Sequence, residues 1–228
     1  NVSHDLRTPL TMIKGYSEMM RDIPDENTPE NVQVIIDETE RLTELVNDVL
    51  DLSKIKAGTR KLDIEVFDLT ETVAAVLTRY EKLTDQKYVI NFNADQSVCV
   101  KADRTMILQV MYNLINNALN YTGEDKTVTI VQTVAGGKVR ISVTDTGEGI
   151  AEEDIPYIWD RYYKVDKVHK RAVVGTGLGL SIVKGILESH KAIYGVESTL
   201  GVGSTFYFEL DAIFDGDFEE NNGKISEK

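Results

Sequence analysis

The sequence predicts an α+β protein: a helical hairpin first, then an antiparallel-rich sheet with helices on one face. Three observations carry this. Apolar residues recur at helical and heptad spacing as far as Lys56. From "AGTRKL" (57–62) onward the period changes, and short alternating runs interleave with helical stretches. Apolar residues make up 42% of the chain against 28% charged, enough to build a core beneath such a sheet. At 228 residues the chain holds one large domain or two small ones.

Residues 2–21 read as a helix, with Val2, Leu6, Leu10, Ile13 and Met20 on one stripe. "DIPDENTP" (22–29) is a loop, and a second helix runs from about Glu30 to Lys56. Ile35, Leu42 and Val49 are seven apart, Leu45 and Leu52 add a second row, and Val46 and Ile55 widen the seam. Two helices alone bury little, so a homodimer forming a four-helix bundle is the simplest solution. Beyond the hinge at 57–62, "IEVFDL" reads as a strand, 69–84 as a helix, and "YVINFN" and "SVCVKAD" as strands. A helix over 103–121 carries Met106, Val110, Leu114 and Leu119 on one side. "TVTIVQTV" and "KVRISVTD" form a hairpin through "AGGK". Residues 177–189 are a helix, and "AIYGVEST" and "STFYFEL" form a closing hairpin through "LGVG". The tail is acidic and poor in aliphatics and is expected to be disordered, with Phe214 and Phe218 able to dock locally.

A net charge of −13 and a pI near 4.7 exclude non-specific binding to nucleic acid or anionic lipid, which needs a basic face. A nucleotide remains possible, held by a local cradle of backbone N–H groups and a metal ion. Cys99 is the single cysteine, so no internal disulfide forms and a reducing compartment is expected. No apolar run is long enough to span a membrane. Asn1 is not an initiator methionine, so the chain is expected to be part of a longer protein whose N-terminal portion carries any membrane spans.

Four local features of the second part bear on chemistry. In "NLINNALNY", Asn113 and Asn117 lie four apart and share a helix face, where two amide oxygens can meet one cation. A polar surface face is the plainer reading, although four asparagines (113, 116, 117, 120) in one helix disfavour helix formation and need a reason. "DTGEGI" (145–150) follows a strand, so Asp145 can accept from an exocyclic amine such as that of adenine; an ordinary Asp-Gly turn reads the same. "GTGLGL" (175–180) opens a helix with free N–H groups, a setting that favours phosphate. It is neither a dinucleotide fingerprint nor a Walker A loop. Between these loops, Arg161, Lys164, Lys167, Lys170 and Arg171 suggest a positive lid over phosphates, or simply a mobile charged loop.

In this order the features resemble the catalytic core of two-component sensor histidine kinases, over about residues 1–210. "SHDLRTPL" resembles the phosphoacceptor box, "NLINNALNY" the N box, and "DTGEGI" and "GTGLGL" the two glycine boxes. "IWDRYYK" (158–164) resembles the aromatic box and "GVGSTF" (201–206) the final glycine-turn strand. The resemblance implies a phosphoacceptor hairpin over 1–58 that dimerises as a four-helix bundle. It implies an α/β sandwich over 59–212, of the histidine kinase, chaperone and topoisomerase ATPase type, and leaves 213–228 as the acidic tail. It also implies an ATP-dependent protein-histidine kinase located in the cytoplasm, a homodimer that uses Mg2+ and passes phosphate to an aspartate of a response-regulator receiver domain.

By position, Asn117 resembles the magnesium ligand, with Asn113 beside it near the phosphates. Asp145 resembles the adenine-reading carboxylate, supported by Gly147, Gly149 and Ile150. Tyr121 resembles the aromatic that lines the nucleoside. Gly175, Thr176, Gly177, Leu178 and Gly179 resemble the phosphate-side loop, Thr205 belongs to the final glycine-turn strand, and Arg161 and Lys164 stand where basic residues reach the phosphates or the bundle. Four positions depart from the usual pattern: Asn120 replaces a common basic residue, Trp159 a phenylalanine, Asp160 a glutamate, and Lys191-Ala192 a small, glycine-rich pair.

His4 and Thr8 lie one helical turn apart and share a face. Neutral imidazole has a free lone pair near pH 7, and Asp5 can fix its tautomer and stabilise the charge that develops on the ring. Pro9 cannot bond the carbonyl of Asp5, so the helix is expected to bend just past the active pair. By the resemblance, Thr8 supports dephosphorylation of the regulator. His169 and His190 lack metal-ligand spacing and read as a lid residue and a helix-end residue. Two other classes compete: a dimeric scaffold that docks a regulator without chemistry, and an ATPase sharing the nucleotide fold.

Overall fold

A computed structural model describes residues 2–56, 61–80, 87–160 and 177–214. Helix α1 spans Val2–Asp22 and carries Pro9 inside it without interruption. Helix α2 spans Pro29–Lys56. Its start is local chemistry: the Thr28 hydroxyl accepts from the Asn31 N–H at 3.2 Å, and Pro29, which lacks an N–H, takes the first helical position. Asn31 Nδ2 reaches back to the Glu26 carbonyl at 2.8 Å and closes the loop.

The two helices pack antiparallel, so His4 sits at the end of the hairpin where α2 hands over to the rest of the chain. Leu45 and Leu52 are buried, and Ile35, Leu42 and Val49 are half-buried. Val32, Ile36, Val46 and Leu50 remain exposed on α2, and Leu10 on α1. Val46 thus belongs to a second apolar row that the hairpin does not cover. The side chains of Val2 and Ile55 and the hinge residues 57–60 lie outside the described residues.

Next come β1 (Glu65–Asp68), α3 (Leu69–Leu77) with a 3-10 turn over Thr78–Tyr80, β2 (Val89–Ala94), β3 (Cys99–Ala102) and α4 (Arg104–Tyr121). β4 (Thr127–Ala135), β5 (Lys138–Asp145), α5 (Gly179–Ser189), β6 (Ile193–Thr199) and β7 (Gly203–Ile213) complete the order. The helix expected over 69–84 is regular only to Leu77, and residues 81–86 lie outside the described residues. Asp68 caps α3 through the Glu71 N–H at 2.8 Å, and Asp103 caps α4 through the Met106 N–H at 3.0 Å.

The strands order as β1-β3-β7-β5-β4-β2, with β6 also on β7, and only the β2–β4 pair is parallel. β7 is long enough to give one edge two neighbours: Gly203–Glu209 pair with β6, while Ala212 and Ile213 pair with β3. Burial along β4 and β5 alternates with period two. Val128, Ile130, Val139, Ile141, Val143 and Phe208 form the covered face, against Met106, Val110, Leu114, Ile182 and Ile186 of the helices. The opposite face is polar, where Arg140 bonds Glu209 at 2.8 Å and stacks 4.1 Å from the Tyr207 ring centroid.

The hairpin does not hang free of this body. Leu52 enters its core cluster, and Gln109 Nε2 on α4 donates to Asp51 Oδ2 on α2 at 2.8 Å. His190, at the end of α5, is a structural strut. Its Nε2 accepts from the Asp103 N–H at 3.0 Å, which leaves Nδ1 as the donor to the Ile186 carbonyl at 2.8 Å.

Candidate functional site

α4 lies against both glycine loops. Asn113 Oδ1 lies against Gly179, 2.9 Å from where a Cβ on that glycine would stand. The Asn113 amide is oriented by its own Nδ2, which donates to the Gln109 carbonyl at 2.9 Å. Two turns later the Tyr121 carbonyl lies against Gly147, 2.0 Å from the position of a Cβ there. Eight residues of helix separate these two contacts, about 12 Å. The Asn113–Asn117–Tyr121 face therefore runs from the second glycine loop to the first. Asn117 is half-buried between them, and the Tyr121 side chain is 46% exposed. The other asparagines have different settings: Asn116 accepts from the Tyr80 hydroxyl at 2.8 Å, and Asn120 is exposed.

Asp145 ends β5 with only 3% of its surface exposed. Burial pushes its carboxyl above the ordinary value, against backbone N–H donors from Gly147, at 2.9 Å, and Ser204. A buried carboxylate with spare acceptor capacity is suited to read an amine. Gly147 admits no side chain because the Tyr121 carbonyl occupies the space. Gly149 has φ +73°, and a Cβ there would meet the Thr199 carbonyl at 2.2 Å. The Ile150 N–H donates to the Ser198 hydroxyl at 2.8 Å, and the Gly201 N–H to the Glu148 carbonyl at 2.7 Å. The β6–β7 turn thus braces the first glycine loop. Thr205 shares a 2.9 Å hydroxyl–hydroxyl bond with Thr144.

α5 begins beside Gly177 with Leu178 in the capping position and no side-chain cap hydrogen bond. The N-terminus of a helix is a setting that favours an anion. Leu178 itself is buried and anchors the loop. Trp159 anchors the segment before the basic stretch, edge-on to Tyr194 at 5.0 Å and to Phe206 at 5.8 Å. Arg161, Lys164, Gly175 and Thr176 lie outside the described residues, as do Lys167, His169, Lys170 and Arg171.

One network at this site escaped the sequence reading. Thr146 donates to Asp125, which keeps the Asp125 carboxyl below its ordinary value, and its oxygen packs 3.0 Å from that of Thr122. Thr122 in turn donates to the Thr127 carbonyl at 2.7 Å. The end of α4 is so tied to the residue that follows Asp145. "YTGED" offered only a turn signal, because the partner of Thr122 and Asp125 stands more than twenty residues away.

On the hairpin, the His4 side chain is 78% exposed, and its Nδ1 lies 3.6 Å from Asp5 Oδ1, within ion-pair range but beyond a hydrogen bond. Thr8 Oγ1 donates to the His4 carbonyl at 3.2 Å. The helix thus brings His4, Asp5 and Thr8 together as their spacing requires.

Residues 1–58 match the His Kinase A (phospho-acceptor) domain, and residues 102–213 match the histidine kinase-, DNA gyrase B- and HSP90-like ATPase. The sensor protein kinase WalK of Staphylococcus aureus is 34% identical over 227 residues, covering 96% of this chain and 37% of that one. The chain spans little more than a third of the length of this relative and of the sensor histidine kinase WalK of Bacillus subtilis. Among solved structures, the Acinetobacter baumannii histidine kinase AdeS aligns with a TM-score of 0.77 at 28% identity, covering 91% of this chain and 97% of that one. The histidine kinase ThkA, solved in complex with the response regulator protein TrrA, aligns with a TM-score of 0.73 at 29% identity, covering 93% and 60%. Two matched domains in this order, together with a relative 34% identical over 96% of the chain, make the chain a member of the two-component sensor histidine kinases, and its 228 residues correspond to their catalytic core.

Proposed function

We propose that this chain is an ATP-dependent protein-histidine kinase that phosphorylates His4 and passes the phosphoryl group to an aspartate of a response-regulator receiver domain. The observation that carries the reading is the continuous α4 face between the two glycine loops, which ends at buried Asp145. Residues 1–58 serve as the dimerising phosphoacceptor domain, 59–212 as the ATP-binding domain, and 213–228 as an acidic tail. No described helix is long and apolar enough to cross a membrane. The curated relatives are longer sensor kinases, which supports a cytoplasmic portion of a membrane-bound sensor.

In this mechanism Asp145 accepts from the adenine amine, with Gly147, Gly149 and Ile150 shaping the base pocket and Thr205 beside it. Tyr121 lines the nucleoside. The loop of Gly175, Thr176, Gly177, Leu178 and Gly179 holds the phosphates at the start of α5, and Arg161 and Lys164 close over them. The neutral His4 ring attacks the γ-phosphorus, the bond to the β–γ bridging oxygen breaks, and ADP leaves. Asp5 stabilises the imidazolium that forms. Thr8 assists the later removal of phosphate from the regulator.

The donor set fits magnesium. Asn113 and Asn117 offer neutral oxygens on one helix face, and no group of three His, Cys, Asp or Glu suited to a metal occurs among the described residues. Such a set suits an ion that arrives already coordinated by phosphates and water, and Asn117 would hold it with Asn113 alongside. When bound, magnesium neutralises charge on the phosphates.

The test is incubation with γ-labelled ATP and magnesium. An acid-labile label on the protein that is absent from His4→Gln is the expected result. ATP turnover without labelled protein would assign an ATPase of the same fold, and neither label nor turnover would assign a docking scaffold.

A further inference from the structure

Asp125, in the turn that follows α4, is exposed, yet its carboxylate meets the first glycine loop. The Thr146 hydroxyl donates to Asp125 Oδ1, and Thr146 is the residue between Asp145 and Gly147. This bond is the main reason the Asp125 carboxyl lies below its ordinary value. The carboxylate is therefore ionised at neutral pH, and the bond to Thr146 is charge-assisted.

The hydrogens around Thr146 show what this carboxylate decides. The Thr122 hydroxyl is committed to the Thr127 carbonyl at 2.7 Å. Thr146 Oγ1 stands 3.0 Å from Thr122 Oγ1 and 3.5 Å from the Thr127 carbonyl, and the Gly123 N–H approaches it at 3.4 Å. Without Asp125, the Thr146 hydrogen would turn inward to the Thr122 oxygen or the Thr127 carbonyl. The backbone on both sides of this side chain is tightly fitted. A Cβ on Gly123 would stand 2.6 Å from the Thr146 carbonyl, and one on Gly147 2.0 Å from the Tyr121 carbonyl. Packing this close passes a displacement on rather than absorbing it. The next group along is Asp145, whose carboxylate accepts from the Gly147 N–H at 2.9 Å.

We propose that Asp125 is a positioning residue for the nucleotide base: it fixes the Thr146 side chain and, through Gly147, the orientation in which the Asp145 carboxylate accepts from the exocyclic amine. This role rests on the proposed ATP reading. Asp125 acts through Thr146 rather than on the nucleotide, so its effect falls on affinity and leaves the chemistry at His4 alone. A carboxylate at the surface thereby sets how well a buried carboxylate reads the base.

The test is calorimetric titration of the full 228-residue chain with ATP and magnesium, alongside half-saturation curves for labelling of His4. Asp125→Ala and Thr146→Val should each weaken ATP binding about 5- to 10-fold. The double variant should lose no more than either alone, because both changes remove the same bond. Asp125→Asn, whose amide oxygen still accepts from Thr146, should return affinity to within about threefold of the wild type. Labelling at saturating ATP should stay within about twofold throughout, while the half-saturating concentration rises with the loss of affinity. Losses that add in the double variant would overturn the role, as would a loss in Asp125→Asn as large as in Asp125→Ala. A slower saturated rate with unchanged half-saturation would also remove Asp125 from base positioning. Wild type that binds ATP no better than Asp125→Ala sinks this role and leaves the ATP reading standing. Wild type that binds no ATP sinks both.

Discussion

His4 and Asp145 occupy opposite environments, and each environment suits a different task. His4 is open to solvent, as the proposed phosphoacceptor, which would meet a phosphoryl donor and then a partner protein, has to be. Asp145 is buried, and burial raises its carboxyl pKa. Below that raised value the folded chain holds a proton the unfolded chain has released, and the stability this provides is lost as pH rises through it. Asp145→Asn should therefore raise the neutral-pH melting temperature of the nucleotide-free chain by about 2–4 °C. The same change should weaken ATP binding by about 10- to 100-fold, the worth of a hydrogen bond to a charged group. In the wild type, ATP affinity should fall on acidification from above the usual carboxylate range, and calorimetry should find that dependence flattened in the variant. At Thr8 the hydroxyl already leans on the His4 carbonyl, so its removal leaves the histidine ring untouched. Thr8→Ala should keep autophosphorylation within about twofold and lose most dephosphorylation of a phosphorylated regulator. Equal loss of both activities would remove Thr8 from that role.

At the scale of elements, α4 sets the geometry. Its N-terminus is fixed by the Asp103 cap and the His190 strut, its middle by Tyr80 on Asn116, and its end by the Thr122–Thr146–Asp125 network. The first glycine loop closes directly onto it. Gly147→Ala would drive a Cβ into the Tyr121 carbonyl, which is backbone and cannot swing aside, and to 2.9 Å from the Asp145 carboxylate. The expected result is a loss of about 2 kcal/mol or more of stability in urea unfolding and no measurable ATP binding. Among the asparagines, the i,i+4 spacing that puts Asn113 and Asn117 on one face was legible in the sequence. That Asn116 serves Tyr80 was not, because nothing within a few residues signals a partner thirty-six positions away.

Across the whole molecule, Val32, Ile36, Val46 and Leu50 with Leu10 are apolar surface that the hairpin leaves uncovered, and the proposed homodimer would bury it. Ile36→Glu/Val46→Glu should convert a dimer to a monomer in analytical ultracentrifugation at micromolar chain, while the ATP-binding body keeps its thermal transition. An unchanged dimer would place the interface elsewhere. Much of this architecture was readable beforehand. Heptad and alternating periods are set by residues at most a few positions apart, so the hairpin, the strands and the glycine turns declared themselves locally. The order of the motifs along the chain then identified the family. Only the tertiary structure decided which apolar row of α2 turns inward, how β7 divides one edge between β6 and β3, and that Asp51 meets Gln109 to join the hairpin to the body. The physical reason is common to all three. A periodic pattern says that a face must be covered, but the identity of the cover depends on which distant surfaces bury most area and satisfy most polar groups together, and that is settled only when the whole chain has folded.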